Sequence, residues 1–484
     1  MSRPAEDPKE HQNSFTARHP GFGVFVVGLG TMVVPFDSSV NVAFPHIVRG
    51  FDLAIPAIQW VVIAYTLTYA ALTLVFGRVG DIMGHRRVFQ IGNITGALAF
   101  LACAAAPSFP WLLGARVLQG VGAALALSCG PALATSLYPE AQRTRVLGLY
   151  TMMFGIGAVL GPVLAGELVA HFGWRAVFWF RAPIALLAFA LTWTLPPGTR
   201  RGQQRFDAPG AALLVLAITG LLLTLNQSRV LDQTVWGFLG AGAVTLLCAA
   251  GFIRRESRTA QPILDLRFFR DRDFALITAA HALLNLAGFS IMLLVPFYLD
   301  RIGGLSVPAG GLVLASSPAG IVLAGPVAGW VMRGGLMREG RMGEEWAHRL
   351  ALAGAVLMAV AQIAISLAGD PADLPALAVS MFLQGFGLGL FQMACLAIST
   401  AIIPREDRGV AGSLVMMTRT VGVVTGATVL MLVFQTLRDS GLAQGLSEAA
   451  AFLGGFQGAF RIAAVLPVLV VLAGWWRGWA RAVR

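Results

Sequence analysis

Lysine is almost missing from this chain: Lys9 is the only one, and arginine makes up the rest of the 35 Lys+Arg. A phosphate-cradling Walker A loop needs Gly-Lys-Ser/Thr, so the chain does not hydrolyse ATP by that route. Charge of either sign is also scarce, at 12% of 484 residues against about 25% in soluble domains. Apolar residues reach 57% and the mean hydropathy is +0.74, which places most of the chain in lipid. The four cysteines (Cys103, Cys129, Cys248, Cys395) lie inside apolar runs without metal-ligand spacing and read as buried free thiols; no metal site or cofactor is expected. A Ser/His/Asp set and a phosphate loop are lacking too, which argues against an intramembrane enzyme. The formal charge of +11 is spread over short loops rather than gathered on a polar domain, so nucleic acid is not an expected partner. Residues 1–19 are polar and lack an apolar h-region, so a cleavable signal peptide is not expected.

Long apolar runs dominate what remains. Fourteen segments meet the length of about 20 residues that a span requires: 21–45, 58–79, 88–106, 110–138, 146–169, 176–195, 208–226, 236–253, 273–299, 309–331, 349–368, 374–402, 410–435 and 456–476. An even count puts both termini on one side. If that side is the cytoplasm, its loops hold 26 of the 35 basic residues, the outer loops hold 5, and Arg116, Arg181, Arg419 and Arg461 fall within spans. The bias orients the protein by the positive-inside rule. Residues 254–272 carry basic and apolar residues suited to an amphipathic surface helix, and 436–455 reads as an outer loop with a short surface helix.

A charge at the bilayer centre costs about 2.5–3.5 kcal/mol on insertion scales, so each one needs a reason. In the first run, Asp37 and Asn41 are four residues apart on one helix face with Ser38 beside them, a stripe that suits an aqueous cavity. An acid in such a cavity suits reversible protonation; the alternative is a carboxylate permanently paired to an arginine. Arg116, in Arg116-Val117-Leu118-Gln119-Gly120-Val121-Gly122, either holds a hydrogen-bonded network or snorkels to the outer interface. Gly157, Gly161, Pro162 and Gly166 combine small-residue spacing with a proline, allowing close packing and a bend. Glu167 follows them, either as a second titratable acid or as a solvated helix end. His281 and Asn285 form another polar pair at a spacing of four, and Arg419 adds a cation further on.

Between the second and third runs sits Gly77-Arg78-Val79-Gly80-Asp81-Ile82-Met83-Gly84-His85-Arg86-Arg87. Its glycines predict a tight turn, Asp81 is a candidate helix cap, and the arginines belong on the cytoplasmic side. This string, the Arg116–Gly122 and Gly157–Gly166 strings, Asp37 to Pro45, Trp60 with Tyr65, Phe206 to Gly210, Pro262 to Phe269, Tyr298-Leu299 with Ser306 and Gly310, and Arg419 with Gly422 follow in order along the chain. The ordered set resembles the major facilitator superfamily, and within it the fourteen-helix drug:proton antiporter branch. Arg181, which follows Phe180, departs from the branch, where asparagine is usual.

The resemblance implies an all-α membrane protein of two six-helix bundles with two inserted helices: an N-terminal tail over 1–20, bundles over 21–195 and 273–476, inserted helices over 206–253, a linker over 254–272 and a tail over 477–484. It implies alternating access, with protons handled by Asp37 and Glu167. Asp37, Asn41, Arg116, His281, Asn285 and Arg419 would line the substrate cavity. Gly77, Gly80, Asp81, Gly84, Arg86 and Arg87 would form a cytoplasmic gate, with Asp81 meeting the start of the thirteenth helix near Arg408 to Gly412. The expected activity is export of amphipathic small molecules in exchange for protons across a bacterial cytoplasmic membrane. Expected partners are lipid, protons, substrate and, optionally, a periplasmic adaptor, with a monomer as the working unit. A dedicated exporter of one metabolite or lipid, or a non-transporting sensor with the same fold, are the competing readings.

Overall fold

The computed structural model describes residues 20–139, 142–196, 208–226, 235–258, 270–336, 342–370, 373–402 and 408–479. They form seventeen α-helices: α1 (Pro20–Met32), α2 (Ser38–Val42), α3 (Phe44–Gly50), α4 (Gln59–Met83), α5 (His85–Ala104), α6 (Phe109–Ser136), α7 (Arg143–Phe172), α8 (Ala176–Trp179), α9 (Arg181–Leu191), α10 (Ala208–Asn226), α11 (Val235–Glu256), α12 (Arg272–Arg301), α13 (Val307–Leu336), α14 (Met342–Ile365), α15 (Leu374–Ile402), α16 (Arg408–Ala443) and α17 (Glu448–Trp476). Twelve spans in this set, some built from more than one helix, are long and apolar enough to cross a membrane. In addition, α10 and α11 pack on each other, and α10 touches α4 and α16. Both occupy the stretch where two inserted spans are expected.

Backbone chemistry sets the breaks. Pro35 opens a 3-10 turn over Pro35–Asp37, and Pro45 lies in the first turn of α3, so the first apolar run is broken rather than one rod. Asp271 caps α12 by accepting from the backbone N–H groups of Asp273 and Phe274, both at 2.9 Å. One expected loop shrinks. α16 continues to Ala443 and α17 begins at Glu448, leaving four residues of the outer loop expected over 436–455. Glu448 accepts from Arg301 at 2.9 Å and from Arg438 at 3.4 Å; those ion pairs let charged residues sit in helix ends that their composition marks as loop. The amphipathic helix expected over 254–272 falls mostly outside the described residues, since 259–269 are not among them.

The helices from α1 to α9 form one half and those from α12 to α17 the other. Leu246 and Leu247 are 72% exposed and Trp476 is 82% exposed, so an apolar surface faces outward, as a lipid-facing surface does. The halves meet along α7 with α13, along α4 with α16, and where α2 and α3 touch α12. A Cβ on Gly166 would lie 2.7 Å from Pro308 Cα, and one on Gly155 would lie 2.8 Å from Val322 Cγ2, so α7 and α13 touch closely there. Nearer their other ends, a Cβ on Gly148, Gly325 or Gly329 would meet nothing within 4 Å among the described residues. The second seam behaves alike: Ile63 packs with Val424 and Ala427, whereas a Cβ on Gly77, further down α4, would meet nothing within 4 Å among the described residues. Thus the halves close at one end, where Arg49 reaches Asp300 at 2.8 Å and Phe44 stacks on Phe297 at 6.5 Å. Toward the end that carries residues 77–87, no such contact between the halves is found among the described residues.

Candidate substrate and coupling site

Where the first span breaks, Asp37 closes the 3-10 turn and faces two helices of its own half. Arg116 of α6 grips it with both terminal nitrogens: Nη1 donates to Oδ1 at 2.5 Å and Nη2 to Oδ2 at 2.8 Å. Gln119, one turn further along α6, donates to Oδ1 at 2.9 Å, and Arg181 Nη1 donates to the same oxygen at 2.9 Å. Each arginine is held by the backbone as well. Arg116 Nε donates to the Val61 carbonyl and its guanidinium lies 4.4 Å from the centre of the Tyr65 ring. Arg181 Nε donates to the Val177 carbonyl and its guanidinium stacks over Phe100 at 4.6 Å. Arg116 and Arg181 are 1% and 0% exposed, while Asp37 keeps 17%. Bidentate pairing of this kind fixes geometry as well as charge.

This cluster changes the picture drawn from sequence. Asp37 is an ion-paired carboxylate rather than an unpartnered acid on an open stripe. Arg116 does not snorkel: it is inside, at the centre of the network. Arg181, whose role the sequence left open, is the second cation on the same acid; its signal was a lone charge in an apolar run that has too few acids to match its arginines. Gln119 was visible as part of the Arg116 string but not as a ligand of Asp37. Asn41, on α2, instead donates to Met292 Sδ of α12 at 3.3 Å, across the junction of the halves.

The other expected cavity residues form a separate cluster. His281 is fully buried, with Nδ1 3.0 Å from Thr418 Oγ1 and its ring parallel to Phe391. Asn285 donates to the His281 carbonyl at 2.8 Å and meets Gln392 at 3.5 Å. Arg419, half-buried, follows Thr418 on α16. Among the described residues no hydrogen bond or ion pair joins this cluster to Asp37. Glu167 stands apart from both: 62% exposed, it pairs with His171 on its own helix at 3.5 Å.

The string at 77–87 is mostly helical. Gly77, Gly80 and Asp81 lie in α4, and the turn is made by Gly84 alone, at φ 93°. Asp81 caps nothing; its neighbour is His85 at 3.6 Å. Gly80 provides close approach, since a Cβ there would lie 2.7 Å from Cys129 Sγ. Arg86 donates to the Trp193 carbonyl at 3.0 Å, and Arg87 is exposed. The side chains of Arg408 to Gly412, Asp81's expected partners, lie outside what is described. In α7, Gly157 and Gly161 face the first span, where a Cβ would meet Met32 and Ser38, while Gly166 faces α13. These glycines bring helices together along a continuous 30-residue α7 that contains Pro162.

An all-helical chain in two halves, closed on each other at one end and charged within, is a membrane transporter fold. Solved structures agree: the bacterial homologue of the human lysosomal transporter Spinster superposes with a TM-score of 0.69 at 17% identity, covering 98% of this chain and 97% of the other. An auto-inhibited POT family peptide transporter gives 0.70 at 17% identity over 96% and 97%. The family model described as Major Facilitator Superfamily matches residues 21–342, and the chain belongs to that family. It is 28% identical to the multidrug resistance protein Stp of Mycobacterium tuberculosis, over 85% of this chain and 74% of that protein. Riboflavin transporter RibZ of Clostridioides difficile is 27% identical over 83% and 86%, and the methylenomycin A resistance protein of Streptomyces coelicolor is 28% identical over 87% and 86%.

Proposed function

We propose that this protein exports amphipathic small molecules by alternating access, in exchange for protons, as a fourteen-span member of the drug:proton antiporter branch. The observation that carries the reading is the pair of inter-half seams, packed at the Arg49 end and without such contacts at the other among the described residues, next to a buried charged cluster that one half holds by itself. With α10 and α11 counted as spans, both termini lie with the arginine-rich loops, which the positive-inside rule assigns to the cytoplasm of a bacterial inner membrane. The conformation described is then open to the cytoplasm, ready to load. Similarity to proteins named for multidrug and antibiotic resistance supports export of foreign or toxic compounds.

In this scheme Asp37 is the proton carrier. Its pairs with Arg116 and Arg181 lie within the first half, so the cycle requires that half to change internally as the halves rock: the pairs loosen in the outward state, the carboxylate takes a proton from outside, and return to the inward state restores the pairs and expels it. One charge moved across 100 mV supplies about 2.3 kcal/mol, roughly a 50-fold gradient, so one proton per cycle suffices. The working unit is a monomer in lipid, with an adaptor optional. Proteoliposomes with an imposed pH gradient test this: added substrate should drive proton movement, and Asp37→Asn should abolish it while Asp37→Glu retains part. Proton flux that ignores every compound in a broad panel overturns the reading. A second reading, export of one metabolite, draws support from the similarity to a protein named for riboflavin; a panel in which a single compound drives flux would favour it.

A further inference from the structure

The buried charges do not balance. Every acid on the described helices other than Asp37 lies in the first or last two turns of its helix. Against that one inner carboxylate stand Arg116 and Arg181, both fully buried, and Arg419 on the facing half. Arg116 spends both terminal nitrogens on Asp37, but Arg181 spends only Nη1. Its Nη2 is buried and has no partner among the described residues; so are the Tyr65 hydroxyl and His281 Nε2. Leaving a guanidinium nitrogen dry and unmatched is costly, and an unpaired cation inside a membrane protein marks a pathway for charge. Tyr65, Phe100 and Gln119, which touch Arg116, Arg181 and Asp37, also line a small cavity with Ala185, and Asp37 keeps 17% of its side-chain surface exposed. Asp37 itself shows the chemistry that these arginines hold: a planar carboxylate, taken edge-on.

We propose that the transported amphiphile is an anion, carrying a carboxylate or a similar planar oxyanion, and that Arg181 Nη2 is the donor that selects it. The proposal rests on the transport reading above and specifies its cargo. Excess positive charge in the first half attracts the head group, and the cluster of His281 and Arg419 adds no acid to repel it. Arg181, the departure from the branch's asparagine, is then the residue that sets charge preference, while Arg116 keeps Asp37 in place.

Three dansyl compounds with one fluorophore and different charge test this: dansylglycine (anionic), dansylamide (neutral) and dansylcadaverine (cationic). Binding is read by fluorescence on the full-length protein in phosphatidylcholine nanodiscs, with no gradient applied. Dansylglycine should bind at least tenfold more tightly than dansylamide, with dansylcadaverine weakest. In Arg181→Gln, which can still hydrogen-bond Asp37, the preference should fall to threefold or less. Wild-type protein that does not favour dansylglycine, whether by equal binding or by none, overturns the proposal even where the variant does not fold; so does a folded Arg181→Gln that keeps the full preference. Because binding needs no proton flux, this result stands apart from proton coupling: anion preference without substrate-driven flux would overturn the antiport scheme alone.

Discussion

The two halves carry the same string on corresponding helices with different chemistry. In α6 it reads Arg116-Val117-Leu118-Gln119-Gly120-Val121-Gly122; in α15 it reads Met381-Phe382-Leu383-Gln384-Gly385-Phe386-Gly387. The glycines do one job in both places: Gly122 lies against Gly92 and Gly96 of α5, and Gly387 lies against Gly354 of α14. The polar positions diverge. Arg116 and Gln119 converge on a carboxylate at a broken first span, whereas Met381 is apolar and Gln384 bonds Ser317 of α13 at 3.0 Å. α12, which stands where the first span stands in the other half, is a continuous helix of 30 residues. Packing is therefore duplicated and charge is not. The first half holds a carboxylate between two buried arginines, whereas the facing half offers His281, amides and the half-buried Arg419 with no acid beside them among the described residues.

Removing the charge is the strongest way to break that asymmetry. Asp37→Asn leaves two buried guanidinium groups facing an amide, and loss of one partner from a buried pair costs about 3–5 kcal/mol. Gln384→Ala, its neutral counterpart, should cost about 1–3 kcal/mol. Thermal unfolding in detergent should rank them in that order, and equal shifts would dissolve the distinction between the halves. Next comes the packing that they share. A Cβ on Gly385 would press on the Ser317 carbonyl, so Gly385→Ala should destabilise by about 1–3 kcal/mol. Gly77→Ala, with nothing within 4 Å, should stabilise the parted state by about 0.5–1 kcal/mol and slow turnover if residue 77 meets α16 when that end closes. Transport assays beside melting curves separate the two effects.

The smallest effects lie at the closed end. Arg49 is 57% exposed, so Arg49→Ala should cost about 0–1 kcal/mol and shift the population only slightly toward opening there, as distances between spin labels on α3 and α12 would report. His46 sits at the same end, where burial first and then the charge of Arg49 hold its imidazole below the ordinary value of 6.5, with Asp300 opposing. An opened, solvated His46 binds protons that the closed form resists. Closure is therefore supported above about pH 6.5 and weakens as pH falls below it. His46→Gln should flatten that dependence in the same distance measurement.

Most of the fold was legible because hydropathy and arginine placement report directly on spans; 208–226 and 374–402 match α10 and α15 residue for residue. Much of what escaped was set by contacts distant in sequence. At Glu448 a local cap, Ser447 accepting from the Ala450 N–H, starts α17, and Arg301 and Arg438 add ion pairs that hydropathy does not report. The site was half legible. Asp37 and Arg116 announce themselves as charges in lipid, but which acid Arg181 would meet, 144 residues away, depends on how α9 packs beside α1 and α5. Asp81 shows the reverse error: residue type suggested a cap, and the helix ran two positions further, to Met83, before the turn at Gly84.

The seam between α7 and α13 has one more consequence. It is lined by glycine and backbone: Gly166 faces Val307 and Pro308, Gly311 meets the Pro162 carbonyl, and Gly155 faces Val322. Side chains that interlock must be lifted over one another before two helices can slide, and where glycine meets backbone there is none to lift. At those points the joint is smooth. A methyl added at Gly311, where a Cβ would press on the Pro162 carbonyl, should therefore roughen the joint and slow any sliding along it.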